Sequence, residues 1–421
     1  MSKSNEAFAD VRMRGFSSRA QVATALEWIE RNVRALEAER VALDELHGRV
    51  LAADVTAAVD VPAFDRASMD GYALRGAETI GAAEYNPLAF ELRGTAMPGR
   101  PYADVVMPGT AIRIMTGAPM PEGADAVVPA EFALERDGRV EIAAPLATGK
   151  HVGRRAEDVH AGAVVMRAGR RLRAQDVGLL ASIGIDAASV IRRPRVRIMA
   201  SGDELVAPGA SKGPYEIYDA NSPMLRGLAV RDGALLELVL RVRDDRRAIQ
   251  EAMLAPGADV LLISGGSSVG AEDHAPGLLA GMGELAIHGI AMRPSSPAGF
   301  GRLGGMLVFL LPGNPVSCLC AYDFFAGRAL RLLGGRSADW PHRRQRAVLR
   351  QKIASAVGRV DYCRVRLNGD EAEPLALSGA SILSSTTRAD GFVIVPEESE
   401  GYPPGAEVSV YLYEPVGPGA V

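Results

Sequence analysis

The chain has 421 residues, of which 48% are hydrophobic and 23% charged, and its formal net charge is −4. These values are typical of a globular protein, and the length suggests about three domains. The weakly acidic charge and the 5% of aromatic residues argue against a nucleic-acid partner or an anionic membrane as partner.

Cysteine usage and the first residues predict a cytoplasmic protein. Cys318, Cys320 and Cys363 have no CxxC spacing and cannot form a disulfide framework, which fits a reducing compartment. The first 15 residues contain no apolar signal-peptide core. No apolar run approaches the roughly 20 residues of a membrane span.

The first half of the chain predicts helices around a β-rich module. Residues 18–39 carry apolar side chains at helical spacing and should form an amphipathic helix. Short strands and turns fill residues 90–142, and a second helix is predicted over 174–183. We expect the second helix to pack on the first, so that the β-rich module is inserted into one elongated helical domain.

Two loops in this half carry polar clusters. Asp65, Ser68 and Asp70 lie close to a glycine and suit contact with a ligand or a metal, or else form an Asx-turn network that closes the loop. Thr116 lies in a loop that leaves a strand, where its hydroxyl either binds an anion or caps the turn.

After a linker at 192–195 the pattern alternates between strands and helices. This alternation predicts a doubly wound α/β domain with a parallel sheet, which binds ligands at the carboxyl ends of its strands. The predicted strands are 196–200, 235–240, 259–263, 286–292 and 306–311. The predicted helices begin at Asn221 (a side-chain cap before Pro223), span 244–254, and run from Asn314–Pro315 to about 333.

Three loops should therefore meet at one edge of this sheet: 201–204, 264–273 and 312–317. The second follows a buried apolar run and opens into glycines and serines, which allow a ligand to approach backbone N–H groups closely. The third offers the N–H groups of a helix N-terminus, which favour phosphate. Taken alone each is equally well an ordinary loop or cap, but together they predict an anion or nucleotide site with room for a metal.

Residues 341–421 predict a small β-barrel or sandwich without a catalytic constellation. The six histidines have neither HxH nor HxxxH spacing, so a zinc site is not expected.

Seven motifs in this order resemble the molybdopterin molybdenumtransferase (MoeA) family, which includes the E domain of gephyrin. They are PAFDRASMDGYAL (62–74), RIMTGAPMPEGADAVVP (113–129), RRAEDVHAGAVV (154–165), SGDELV (201–206), YDANSPML (218–225), SGGSSVGAED (264–273) and FLLPGNPVSC (309–318). The stretch at 381–397 resembles the C-terminal barrel of the family.

The resemblance implies a multidomain α/β plus β fold. Its parts would be an elongated helical domain (18–54 and 150–191), an inserted β-rich domain (55–149), an α/β molybdopterin-binding domain (192–338) and a C-terminal β-barrel (339–421).

The resemblance also implies a reaction: insertion of molybdate into adenylylated molybdopterin, with release of AMP and the molybdenum cofactor. Mg²⁺ or a similar divalent cation is the expected cofactor, because it gathers anionic oxygens. A homodimer is implied, with the site between the α/β domain of one protomer and the β-rich domain of the other. The expected protein partners are the upstream adenylyltransferase and a downstream molybdoenzyme.

The residues that match the family's motifs are the expected site residues. The catalytic set is Asp70, Thr116, Asp158, Glu204 and Asp273, and the metal ligands are Asp203, Glu204 and Asp273. Asp70 and Asp158 would approach from the partner protomer. Backbone N–H groups in the loops at 264–268 and 313–317 would hold phosphate and pterin. The cofactor-binding residues are Ser264, Gly265, Gly266, Ser267, Ser268, Pro312, Gly313, Asn314, Pro315 and Ser317, with Arg293 and Ser296 beside them.

One motif departs from the family. The family has Lys-Pro-Gly-Lys-Pro where this chain has Arg293-Pro294-Ser295-Ser296-Pro297, so the second lysine has become Ser296 and the first has become an arginine. Three interpretations follow: an active transferase, a diverged paralogue that carries molybdopterin or its nucleotide without ligating metal, and a scaffold such as gephyrin, for which no receptor-binding motif is recognised.

Overall fold

The computed structural model describes residues 16, 18–266, 270, 273–376 and 379–413. The chain forms two compact units. The larger contains the described residues up to Glu39 and those from Ile191 onward, and the smaller spans Arg40–Val190. No helix in the described ranges has the length and apolarity needed to cross a membrane.

The described α-helices are α1 (Val22–Asn32), α2 (Ala174–Ser182), α3 (Asn221–Arg231), α4 (Arg246–Leu254), α5 (His274–Met282), α6 (Pro315–Ala321), α7 (Gly327–Leu333) and α8 (Ser384–Thr387). All but α2 belong to the larger unit, where helices cover both faces of the main sheet. A π-helical turn, Tyr322–Ala326, joins α6 to α7, so the helix predicted from Pro315 to about 333 is confirmed as one continuous element.

The smaller unit is mainly β-structure. The strands of this part of the chain are β1 (Ala38–Ala42), β2 (Val55–Thr56), β3 (Arg66–Ala67), β4 (Gly71–Leu74), β5 (Leu88–Ala96), β6 (Thr110–Ile114), β7 (Ala126–Pro129), β8 (Ala133–Arg136), β9 (Arg139–Ile142), β10 (Val152–Gly153), β11 (Val164–Met166) and β12 (Ala187–Ile191). The chain enters the smaller unit within β1 and leaves it within β12. Six of these strands form one sheet in the order β7-β4-β6-β5-β9-β8. The predicted β-rich module is thereby confirmed.

The remaining strands belong to the larger unit. They are β13 (Arg195–Ser201), β14 (Leu205–Val206), β15 (Ile217–Tyr218), β16 (Leu235–Val242), β17 (Val260–Ser264), β18 (Glu284–His288), β19 (Met292–Arg293), β20 (Gly299–Leu303), β21 (Met306–Leu311), β22 (Arg344–Leu349), β23 (Ile353–Ala354), β24 (Val360–Asn368), β25 (Glu371–Ala376), β26 (Gly391–Val395), β27 (Gly401–Tyr402) and β28 (Glu407–Leu412).

The α/β sheet has the order β16-β13-β17-β21-β20-β18. β16, β13, β17 and β21 are parallel, as predicted. The strand expected at 286–292 is β18, and it runs antiparallel to β20, a strand that the sequence did not predict. The expectation of a fully parallel sheet is wrong here: β20 joins β21 through Gly304 and Gly305, a turn too short for the crossover that parallel pairing needs.

Helix α1 differs from its prediction in length. It ends at Asn32 rather than near 39, and β1 begins shortly afterwards. Its buried residues, including Ile29, share a core with the sheet and the barrel of the larger unit, whereas Leu180 of α2 belongs to a separate core in the smaller unit. The two helices thus contribute to separate cores, and residues up to 39 group with the α/β region. The expected packing of α2 on α1 stays a prediction. The four-domain partition stays a prediction.

The C-terminal strands close a β-barrel. β24, β25, β22, β28 and β26 follow one another, and β26 returns to pair with β24, which confirms the predicted barrel. β19 pairs with β24 in parallel and sets Arg293 opposite Asp361. The barrel residues Tyr362 and Phe392 lie in the same core as α1, so the barrel and the α/β sheet are packed as one body of side chains.

Candidate functional site

Three strands of the α/β sheet end side by side. Ser264 at the end of β17 is in register with Leu311 of β21 on one side and with Ala200 of β13 on the other. The Gly265 N–H donates to the Leu311 carbonyl at 3.2 Å. The loops that follow these strands therefore start at one edge, as the sequence predicted.

Asn221 ties two of these loops together. Its Nδ2 donates to Ser264 Oγ at 2.8 Å and to the Gly313 carbonyl at 2.7 Å. Its predicted role as a helix cap is wrong, because the cap residue of α3 is Ala220, and Asp219 Oδ1 instead accepts a hydrogen bond from the Ser222 N–H at 2.9 Å.

Asp219 and Asn221 are site residues that were not predicted from the sequence. They are only 3% and 8% exposed, and Asn221 Oδ1 and Ser222 Oγ are buried with no hydrogen-bond partner among the described residues. Buried polar atoms normally have partners, so these two atoms are suited to a ligand or an ordered water. The signal in the sequence was a polar cluster directly before a proline-containing helix at the edge of the sheet.

Gly265 allows the backbone of two loops to come close. Its φ is +89°, and a Cβ there would overlap the Ser201 carbonyl oxygen. Gly209 has a similar φ of +85°, but no atom lies within 4 Å of the position that a Cβ would take there.

We expect Gly265→Ala to destabilise the larger unit by several kcal/mol, because it adds a clash with Ser201 to the backbone strain of about 1–3 kcal/mol. Gly209→Ala carries the strain alone and is the matched control. Denaturant unfolding of the two variants gives the comparison; equal losses of stability would contradict the close approach at Gly265.

Two of the N–H groups expected to hold phosphate are already bonded within the chain. The Gly265 N–H is bound to Leu311, and the Val316 N–H in the first turn of α6 donates to the Ala380 carbonyl at 2.9 Å. Both N–H groups therefore have acceptors within the chain, as buried backbone groups at strand ends and helix ends usually do, and the expectation of backbone-held phosphate stays a prediction. Ser267 and Ser268 lie outside the described residues.

The predicted metal ligands do not form a cage. Asp203 Oδ1 accepts hydrogen bonds from Arg243 and from the Asp244 N–H, both at 3.3 Å, and Asp273 Oδ2 accepts one from the Gly270 N–H at 2.7 Å. Among the described residues no three His, Cys, Asp or Glu side chains are grouped closely enough to hold a metal ion. Such carboxylates fit Mg²⁺ only in its usual mode, through one or two of them plus substrate phosphates.

A cleft of about 800 Å³ opens beside the start of α6. The predicted residues Pro312, Asn314, Ser317, Arg293 and Ser296 all line it. Its size is that of a small-molecule site. Its cationic residues are Arg19, Arg293, Arg359 and Arg364, and its described lining contains no acidic side chain.

Three of these arginines were not identified from the sequence. Arg359 and Arg364 belong to the barrel segment, for which the sequence predicted no catalytic constellation, and Arg19 precedes the first helix. The pairing of β19 with β24 brings the barrel arginines to this cleft. The local sequence does not predict this contact, because β19 and β24 are far apart in the chain.

In the smaller unit Asp70 and Thr116 are in direct contact. Asp70 Oδ1 accepts hydrogen bonds from Thr116 Oγ1 and from the Thr116 N–H, both at 2.7 Å. The Thr116 hydroxyl, followed by its N–H, lowers the pKa of the Asp70 carboxyl below its usual value. Asp70 therefore stays ionised, and its side chain is exposed.

Asp158 lies on a loop that ion pairs join to the Asp70 loop. Asp65 accepts hydrogen bonds at 2.8 Å from the Arg155 N–H and from Arg154, and the Asp158 N–H donates to the Val61 carbonyl. The three residues predicted for this unit thus lie on neighbouring, mutually bonded loops.

We expect Thr116→Val to raise the pKa of the Asp70 carboxyl, because it removes the hydroxyl donor and keeps the N–H donor. Carboxyl-carbon NMR titration measures the shift. The matched control is Thr148→Val, whose hydroxyl contacts Asp125 and not Asp70; an unchanged Asp70 pKa in Thr116→Val would contradict the assigned cause.

Family profiles match most of the chain. The MoeA N-terminal region (domains I and II) matches residues 20–184, a probable molybdopterin-binding domain matches 197–331, and the MoeA C-terminal region (domain IV) matches 346–413. A crystal structure of the MoeA molybdopterin biosynthesis protein of Pyrococcus horikoshii is similar, with a TM-score of 0.81 and 32% identity, covering 95% of this chain and 100% of that one.

Relatives are similar over nearly their whole length. A putative molybdopterin biosynthesis protein of Methanocaldococcus jannaschii is 33% identical over 92% of this chain and 94% of its own. Molybdopterin molybdenumtransferase 2 of Mycobacterium tuberculosis is 34% identical over 90% of this chain and 96% of its own. The shared motifs, the fold and these relatives lead to one conclusion: the chain belongs to the molybdopterin molybdenumtransferase (MoeA) family of molybdenum cofactor biosynthesis.

Proposed function

We propose that this protein transfers molybdate to adenylylated molybdopterin and releases AMP and the molybdenum cofactor. The observation that carries the proposal is the arginine-lined cleft. It opens beside Pro312, Asn314 and Ser317, where the chain passes from the end of β21 into α6. Molybdate, the pyrophosphate link and the terminal phosphate of the substrate are all anionic. Guanidinium groups suit such oxygens because they present several N–H donors in a fixed plane.

The carboxylates complete the proposed chemistry. Glu204 is exposed on the loop after β13, and Asp273 precedes α5, so both lie after strands that end at the carboxyl edge. In the proposal they orient the water that attacks the AMP linkage. A divalent ion such as Mg²⁺, held by Glu204 or Asp203 together with the substrate's phosphates, would supply charge neutralisation at those oxygens.

The proposal extends to assembly and location. We propose a cytoplasmic homodimer in which Asp70, Thr116 and Asp158 of one protomer serve the α/β site of its partner. The support is chemical: the smaller unit presents an ionised, exposed carboxylate at Asp70, which suits a divalent cation or a water beside an anionic substrate. The four-domain organisation, an upstream adenylyltransferase and a downstream molybdoenzyme belong to the same proposal.

A carrier role is the second candidate. It is favoured by Ser296, which stands where the family has a lysine, and by the lack of a three-carboxylate metal set in the described residues. In this role the protein binds molybdopterin or its nucleotide without completing the transfer.

Complementation separates the two candidates. A bacterium that lacks its own molybdopterin molybdenumtransferase would express this chain, and the activity of a molybdoenzyme would be scored. In parallel, AMP release from adenylylated molybdopterin would be followed with the purified protein, with and without a chelator. Restored activity with chelator-sensitive AMP release supports the transferase; a soluble protein that fails both tests supports the carrier.

A further inference from the structure

Three arginines of the cleft lie outside every motif that carries the family resemblance: Arg19, Arg359 and the fully buried Arg364. The side chains of the first two are not fully buried. Arg19 comes before α1, and Arg359 comes just before the barrel strand β24. Both line the same cleft as Arg293 and Ser296. The motif that lost its lysine at Ser296 therefore has cations beside it that arrive from two other parts of the chain.

A buried carboxylate fixes Arg359 and Arg293 at the cleft wall. Asp361 is 0% exposed and accepts hydrogen bonds from Arg293 Nη2, from Arg359 Nε at 3.0 Å and from Ser355 Oγ at 2.9 Å. The Arg359 bond uses Nε, so it does not consume the two Nη nitrogens. The Arg359 and Arg293 side chains remain 33% and 34% exposed.

The segment that carries Arg19 is held beside the same loop. The Ala20 N–H donates to the Gly289 carbonyl at 2.9 Å, and the Ala291 N–H donates back to the Ala20 carbonyl at 2.8 Å. The Arg19 guanidinium lies 5.9 Å from the centre of the Phe16 ring. These contacts set Arg19 next to the start of the loop that contains Ser296.

The loop itself is rigidly placed. Ser295 has a φ of +92°, a conformation that favours glycine, and its hydroxyl donates to the Ser317 carbonyl in α6. The Ser296 carbonyl accepts from the Ile290 N–H at 2.8 Å. The backbone at position 296 is therefore held in place in the cleft wall.

We propose that Arg19 and Arg359 bind a tetrahedral, doubly charged oxyanion in this cleft. They supply the positive charge that a lysine at position 296 would otherwise supply. Four arginines surround the cleft and one buried acid, Asp361, lies behind it, so the cleft keeps a net positive charge. Guanidinium groups bind tetrahedral oxyanions through paired N–H donors, which a single ammonium does not offer. The inference rests on the proposed function, because molybdate is the oxyanion in question.

The test measures the dissociation constant of molybdate for the full-length protein by titration calorimetry. We expect Arg359→Gln and Arg19→Gln each to weaken binding by about tenfold to a hundredfold, the usual loss for one charged hydrogen-bonding group. Adding Ser296→Lys to either variant should restore most of the affinity. Arg247→Gln, which removes an exposed arginine paired with Glu251 on α4, is the control and should bind as the unchanged protein does.

The outcomes are separable. Wild-type affinity in both glutamine variants overturns the inference while complementation still supports the transferase. If the glutamine variants bind molybdate more weakly and Ser296→Lys does not restore their affinity, the claim that the arginines replace a lysine at position 296 is overturned. If the unchanged protein binds no molybdate, the inference fails, and the complementation result decides whether the proposed function fails with it. Should Arg359→Gln not fold, Arg19→Gln, in an exposed segment, decides the question alone.

Discussion

Replacing Glu204 by alanine should lower the release of molybdenum cofactor by about a hundredfold to a thousandfold, the effect of losing several kcal/mol of charge stabilisation at a phosphate site. Glu204 is exposed on the loop that follows β13 at the carboxyl edge of the sheet. Removing an exposed carboxylate leaves the core intact, so the unfolding transition should not move. Asp70→Ala should have a comparable effect, because its ionised carboxyl is held ready by Thr116.

Two further variants sharpen this prediction. Glu204→Gln keeps the shape and removes the charge, so it should lose nearly as much activity as Glu204→Ala. Glu251→Ala removes an exposed glutamate of α4 that pairs with its helix neighbour Arg247, and it should keep full activity. AMP release by the purified protein is the measurement, and full activity in Glu204→Ala would remove this residue from the mechanism.

Asp232→Ala should cost about 3–5 kcal/mol of stability, because it leaves buried cations without their counter-charge. Asp232 is 1% exposed and accepts hydrogen bonds at 2.9 Å from Arg231, Tyr322 and Arg331. This carboxylate holds the end of α3 against the π-helical turn and α7. Unfolding in denaturant, followed by the midpoint and the slope of the transition, measures the loss.

The control for this variant is Asp245→Ala. Asp245 caps α4 by accepting a hydrogen bond from the Ala248 N–H, and this cap lies at the surface, so its loss should cost only about 1 kcal/mol. A loss in Asp232→Ala no larger than in this control would contradict a stabilising role for the buried network.

The same network gives the stability a defined pH dependence. Burial raises the pKa of Asp323, but the hydrogen bond from His342 and the charge of Arg231 outweigh it, so the pKa is lowered overall. A carboxyl whose pKa is lower in the folded protein stabilises it above the ordinary carboxyl range. That stabilisation is lost as the pH falls through the lowered pKa.

Most of the α/β framework could be predicted from the sequence. The buried runs that became β13, β17 and β21 are largely apolar, and such runs form parallel strands covered on both faces. The β-rich module and the barrel were predictable because their short strands are separated by turn residues. The order of seven motifs predicted the family, and the comparisons confirm it.

The sequence by itself determined which runs are buried and which loops follow strands, because periodicity and turn chemistry are local properties. It did not determine what each buried face packs against. Only the tertiary structure decided that α1 packs with the larger unit, that β18 runs antiparallel, and that the arginines of the barrel segment reach the cleft. Such contacts join segments far apart in the chain. They form because strands pair their hydrogen-bonding groups and several segments bury their apolar faces in one core, and no single segment determines that arrangement.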